Sequence, residues 1–134
     1  MKADSTCPFC QLPSARVELQ NDLALAFEDG YPVLPGHRLV VPRRHVEDYW
    51  GLTPAERSQC HELLVALRDR IVTVDSSVAG FNIGLNAGAC AGQTVFHCHF
   101  HLIPRRAGDV PDPRGGVRHL IPGKGFYQAN EGVS

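Results

Sequence analysis

The segment His97-Cys98-His99-Phe100-His101-Leu102-Ile103 alternates imidazole with apolar side chains, and nothing else in the chain constrains the fold so tightly. In an extended strand successive side chains point to opposite faces. His97, His99 and His101 would then share one face at intervals of about 6.6 Å, with Cys98, Phe100 and Leu102 on the other. The apolar side reads as core. The histidine side is not explained by packing, because a single histidine often serves as a hydrogen-bonded structural residue but three in a row seldom do. The pattern predicts a strand from Val95 to Ile103, closed by Pro104.

Two chemistries want such a row. One is a metal site, since neutral imidazole is a common ligand. The other is nucleophilic catalysis, in which one imidazole attacks and its neighbours orient the substrate and supply protons. The residues just before the row favour the second. Gly88 and Gly92 stand in a small-residue loop that could turn backbone N–H groups toward an anion, and Gln93 and Thr94 add side-chain donors.

The rest of the chain predicts what surrounds that strand. Thr53-Pro54-Ala55-Glu56 is a helix start, with Thr as N-cap, Pro at the first helical position and Glu closing a capping box. Behind it Cys60, Leu63, Leu64, Leu67, Ile71 and Val74 recur at three- and four-residue spacing, one apolar stripe on a helix of about five turns. Strands are expected at Arg16 to Gln20, Leu23 to Glu28, His37 to Pro42 and Phe81 to Asn86. One long helix among these strands is an α+β fold with a mostly antiparallel sheet. At 134 residues the chain is the size of one domain, expected over 1–134 with its core at about 7–106 and an irregular Pro- and Gly-bearing tail at 107–134.

Composition excludes some partners. A net charge of −1 is not the basic surplus that grips nucleic acid, and no apolar run reaches membrane-spanning length. Neither a nucleic acid nor a membrane is an expected partner. With no signal peptide, the five cysteines read as reduced thiols of a cytoplasmic protein, Cys60 and Cys98 being buried and inert. Cys7-x-x-Cys10 is either a pair of metal ligands or a redox pair.

The row His97-Cys-His-Phe-His-Leu-Ile103, with Leu25-Ala-Phe-Glu-Asp29, Pro35-Gly-His-Arg-Leu-Val-Val-Pro42 and Ala91-Gly-Gln-Thr-Val95, resembles the histidine triad superfamily of nucleotide hydrolases and transferases, from Cys7 to about Arg106. The resemblance implies a HIT-like fold, and a middle histidine, His99, that attacks the α-phosphorus to form a covalent nucleotidyl-histidine. It implies that His101 bonds the phosphate or leaving group, that Asn86, Gln93 and Thr94 lie on the phosphate side, and that Asp29 holds the ribose hydroxyls. Phe27 either lines the base pocket or is core.

The same resemblance implies a structural zinc held by Cys7, Cys10, His45 and His97, and no catalytic metal, although magnesium can accompany a polyphosphate substrate. Val33-Leu-Pro-Gly-His37 and Ala91-Gly-Gln-Thr-Val95 look closest to the fragile-histidine-triad branch, whose members cleave dinucleoside polyphosphates. A phosphoramidate hydrolase and a zinc-bearing nucleotide-binding module with little turnover are the alternatives. Family habit further implies a homodimer. His37 reads as a structural residue of the Pro-Gly-His turn. Arg105, Arg106, Arg114 and Arg118 either reach a polyphosphate or a partner subunit, or are solvated charges.

Overall fold

The computed structural model describes residues 4–127. Five strands and one helix follow in the order β1 (Val17–Gln20), β2 (Ala24–Glu28), β3 (Arg38–Pro42), α1 (Pro54–Val74), β4 (Val78–Gly84) and β5 (Phe100–Arg106). The strands form one sheet in the order β1-β2-β3-β5-β4, every neighbouring pair antiparallel. This is the expected α+β architecture.

The helix begins where its capping chemistry places it. Thr53 Oγ1 accepts from the Glu56 amide and Glu56 Oε1 accepts from the Thr53 amide, so two orphan donors are satisfied reciprocally. The same buried carboxylate also receives Arg44 through Nε and Nη2, at 3.0 and 2.8 Å. That ion pair holds the Glu56 carboxyl below its ordinary range, and it ties the segment carrying His45 to the start of the helix.

One face of the sheet packs under α1. Ala26, Val40 and Phe100 lie opposite one another across three strands, and with Ala24 and Leu102 they meet Cys60, Leu63, Leu64, Leu67 and Ile71. Leu67 is completely buried, and truncating such a leucine to alanine costs about 2–5 kcal/mol. The apolar stripe ends one turn earlier than its spacing suggests. Val74 is exposed, because the helix ends there and Asp75 begins the turn into β4.

The second face carries a different row. Phe27 pairs with Leu39, Leu39 with His101, and His101 with Gly84, so these four residues cross the sheet side by side. Phe27, Leu39 and Val41 form a small buried cluster beneath Phe9, Leu12 and Leu25.

The histidine strand departs from expectation. It starts at Phe100 rather than Val95 and runs through Pro104 to Arg106. Residues 95–99 do not join the ladder; the Cys98 amide bonds instead to the Val46 carbonyl at 2.7 Å. Beyond Leu102 only β4 pairs with β5, and on that half-free flank the missing N–H of Pro104 is tolerated. β4 likewise lies earlier than expected, ending at Gly84, so Asn86 sits in the loop that follows it. After Arg106 the described chain is irregular apart from a short 3-10 segment at Gly116–Leu120.

Candidate active site

Because residues 95–99 leave the ladder, the three histidines are not one row. The alternation survives from Cys98 to Leu102, with Cys98, Phe100 and Leu102 buried in the core under the helix. His97 instead turns away into a separate cluster. Its Nδ1 lies 3.4 Å from Cys7 Sγ and 3.5 Å from Cys10 Sγ, while His45 Nδ1 is 3.3 Å from Cys10 Sγ. One ligand atom from each of these four residues lies within 4.8 Å of all the others.

The donor set fits a metal. His97 Nε2 is spoken for by the Pro42 carbonyl at 2.8 Å, which fixes the ring proton there and leaves the Nδ1 lone pair facing the thiols. Two thiolates and two neutral imidazoles suit tetrahedral zinc, and four protein ligands leave no open position for water. The redox reading of Cys7 and Cys10 is disfavoured by the two imidazoles that converge on them.

His97 holds His99 as well. Its backbone carbonyl accepts a hydrogen bond from His99 Nδ1 at 2.8 Å, so His99 keeps a free lone pair on Nε2. The His99 ring stands edge-on to His101, centroids 5.3 Å apart, and to Phe9 at 5.1 Å. Phe9 is carried by the Cys7-Pro8-Phe9-Cys10 turn and also touches His97 and Phe27. Phe27 is 1% exposed and therefore core, and Phe9 is the ring that stands above it beside His99.

His37 belongs to the site, although the sequence suggests only a turn residue. The Val33 amide donates to His37 Nδ1 at 3.1 Å, so the ring proton resides on Nε2, 2.9 Å from His101 Nδ1. His101 then accepts on Nδ1 and carries its own proton on Nε2. Burial, reinforced by His99 and His37, pushes the His101 imidazole down to about 4, with Asp29 opposing. His37 is lowered as well, again chiefly by burial. Both rings are neutral at pH 7. Asp29 closes this group, with Oδ2 3.4 Å from His37 Nε2 and Oδ1 accepting from the Tyr31 amide at 2.8 Å. Asp29, His37 and His101 also lie close enough to hold a cation, but the Val33 amide keeps the proton on the nitrogen that would have to ligate it.

The loop before the triad differs from expectation in its donors. Gly88 and Gly92 take positive φ angles of 100° and 96° around a tight turn, a conformation that favours glycine. The amides of Gly88, Ala91, Gly92 and Gln93 are spent inside the loop and face no ligand. The Gln93 side chain is spent too: Oε1 accepts from Gly88, and Nε2 donates to the carbonyls of Glu47 and Val95. Gln93 is thus a buried brace that joins the loop to the segment after His45. Asn86 is half-buried and Thr94 exposed, and among the described residues their side chains make no hydrogen bond.

The arginines have local partners. Arg105 pairs with Asp109, Arg106 with Asp75 and Arg114 with Asp112, while Arg118 stacks on Tyr127. Cys60 and Cys98 are buried, their thiols pushed up to about 12 by desolvation, which makes them inert as expected.

A family profile for the HIT domain matches residues 12–108, a span that includes His37, His45 and the whole triad. The chain belongs to the HIT family. Cys7, Phe9 and Cys10 lie just outside the matched residues. A HIT-like protein of Saccharolobus solfataricus is 37% identical over 128 residues, covering 91% of this chain and 90% of its own. The bis(5'-nucleosyl)-tetraphosphatase (asymmetrical) of Schizosaccharomyces pombe is 39% identical, over 78% of this chain and 57% of its own. The AP-4-A phosphorylase of Mycobacterium tuberculosis is 35% identical, over 77% and 55%. The chain spans just over half the length of these two enzymes. Among HIT structures, that of a family protein from Bacillus anthracis superposes with a TM-score of 0.72 at 31% identity, covering 92% of this chain and 80% of that one.

Proposed function

We propose that this HIT protein hydrolyses dinucleoside polyphosphates at the α-phosphate through a covalent nucleotidyl-histidine, releasing a nucleoside monophosphate. The observation that carries this reading is the bond from His99 Nδ1 to the His97 carbonyl, which leaves Nε2 unprotonated on a ring 5.3 Å, centroid to centroid, from His101. The names of the yeast and mycobacterial relatives support the substrate class.

The chemistry follows from those two rings. His99 Nε2 attacks the α-phosphorus, and the bond to the bridging oxygen breaks as an N–P bond forms. His101 Nε2–H donates a hydrogen bond to the departing oxygen, which leaves as a polyphosphate anion and needs no proton. Water then attacks the adduct and loses a proton to solvent, and the N–P bond breaks to release the monophosphate, with His101 Nε2–H still bonded to a phosphoryl oxygen. Asn86 and Thr94 are the side-chain donors for the phosphate oxygens, and Asp29 accepts from the ribose hydroxyls. Gln93 acts through the loop it braces.

Cys7, Cys10, His45 and His97 would hold a structural zinc, whose part is to fix the N-terminal turn against the catalytic segment. No step passes through it, and a magnesium ion can arrive with the polyphosphate. The protein works as a homodimer in the cytoplasm in this reading, β4 being an edge strand with Ile83 exposed on it. No helix among the described residues is long and apolar enough to cross a membrane.

Intact mass after rapid quenching with diadenosine tetraphosphate tests the proposal. The expected result is an adenylate adduct on the wild type that His99→Gly abolishes. Turnover of a nucleoside phosphoramidate without cleavage of the tetraphosphate would move the substrate to P–N bonds. Nucleotide binding with turnover of neither would leave a binding module.

A further inference from the structure

A shallow, open cavity of about 330 Å³ lies between β4, the end of β5 and the start of the tail. Its walls include Gly80, Asn82, Arg105, Asp109, Pro113 and Gly116. It is not the triad pocket, but the register joins the two. His101 lies opposite Gly84, Ile103 opposite Asn82, and Arg105 opposite Gly80. Alternate residues share a face, so one strip of surface runs from His101 to the cavity over about 13 Å, four strand residues.

Two glycines keep that strip low. Neither Gly80 nor Gly84 has a positive φ, and a Cβ added to either would meet nothing within 4 Å. At Gly84 neither backbone conformation nor packing calls for glycine, whereas Gly80 follows a register irregularity after Val78, and glycine inside a strand weakens it. Close passage of another group over the strand is the use that remains for Gly84.

The charges select what the cavity can take. Arg105 is held by both oxygens of Asp109 at 2.8 Å, and Arg106 by Asp75 at 2.8 Å. Both cations are neutralised locally, which makes the cavity a poor phosphate site and a suitable one for an uncharged polar heterocycle. Asn82 Oδ1 accepts from Arg105 at 2.6 Å, which orients the amide and leaves both Nδ2 hydrogens for ring nitrogens or carbonyls of a base.

We propose that this cavity binds the second nucleoside of the dinucleoside polyphosphate, the one that departs with the leaving group, and that the phosphate chain crosses Gly84 to reach it. The assignment rests on the function proposed above. It makes Gly80 and Asn82 determinants of leaving-group specificity, remote from the bonds that break.

Calorimetric titration in a His99→Asn background separates the two ideas, because it needs no turnover. The ligands are AMP, adenosine 5'-tetraphosphate and diadenosine tetraphosphate; only the last carries a second nucleoside. The expected result is that the dinucleotide binds about tenfold tighter than adenosine tetraphosphate, and that Gly80→Leu or Asn82→Ala removes this advantage while AMP affinity stays the same. Equal affinity for the two tetraphosphates would overturn the subsite and leave the nucleotide reading standing. So would a dinucleotide advantage that survives both substitutions. Failure of all three ligands to bind would overturn the nucleotide reading and the subsite together. Should Gly80→Leu not fold by thermal unfolding, Asn82→Ala decides alone.

Discussion

His37 Nε2 meets His101 Nδ1 at 2.9 Å, and the Val33 amide on the far side of the His37 ring sets which nitrogen donates. A backbone amide thus dictates, through two rings in series, where the proton of His101 sits. In the proposed mechanism that proton makes the hydrogen bond to the leaving group. Replacing His37 by Leu should lower kcat about 10²-fold, with little change in KM. His37→Gln, which keeps an N–H donor, should recover part of the loss. Steady-state kinetics across pH on both variants checks this, and equal loss in the two would deny the donor its role.

The depressed imidazole of His101 also makes the fold sensitive to acid. Unfolded, the ring titrates near 6.5; folded, at about 4. Between those values the unfolded chain binds the extra proton, so stability is intact above about pH 6.5 and declines as pH falls toward 4. The full contribution is about 3 kcal/mol. Urea unfolding of the wild type at pH 7 and pH 5 should show a drop that is smaller in His101→Gln. The variant serves as the control for acid effects elsewhere.

A metal at Cys7, Cys10, His45 and His97 would bind the N-terminal turn to the segment that carries His99. Native mass spectrometry should find one zinc per chain. Stripping it, or replacing Cys7 by Ser, should cost at least about 3 kcal/mol in chemical unfolding. Because Phe9 and the His97 carbonyl both steady the His99 ring, adduct formation should slow in the stripped protein at a temperature where it is still folded. Undiminished adduct formation would uncouple the turn from the chemistry.

Glu56 combines a helix cap with a buried ion pair. Its side chain is 5% exposed, and Arg44 has no second carboxylate among its bonds in the described structure. Glu56→Ala should destabilise the protein by about 3 kcal/mol, measurable as a lower urea midpoint at unchanged m-value. A loss under 1 kcal/mol would mean that the exposed end of Arg44 rehydrates freely.

What could be read from the sequence follows the range of the interactions involved. The helix start was legible because Thr53 and Glu56 satisfy one another within a single turn. The separation of Cys98, Phe100 and Leu102 from His99 and His101 was legible because strand alternation is local. The start of β5 was not, since it depends on Val46 capturing the Cys98 amide from more than fifty positions away. His37 was missed for the same reason: its partner is 64 residues distant, and the Pro-Gly-His turn explains a histidine well enough without one. The saturation of Gln93 by Gly88, Glu47 and Val95 is equally invisible in the string Gly-Gln-Thr. Phe9 could have been suspected, because a large aromatic inside a Cys-x-x-Cys turn must rest on something.

From Cys98 to Leu102 the helix-side core and the histidine face are written on alternate residues of one short stretch. Gaining or losing a residue there would exchange the two faces, burying imidazoles under α1 and turning Phe100 and Leu102 toward His37 and Asp29. Neither half could be repaired alone. Divergence within this stretch is therefore confined to swapping one apolar side chain for another at positions 98, 100 and 102, while its length is frozen. Variation in length should accumulate instead after Arg106, where the sheet has ended and an added residue shifts no other side chain across a boundary.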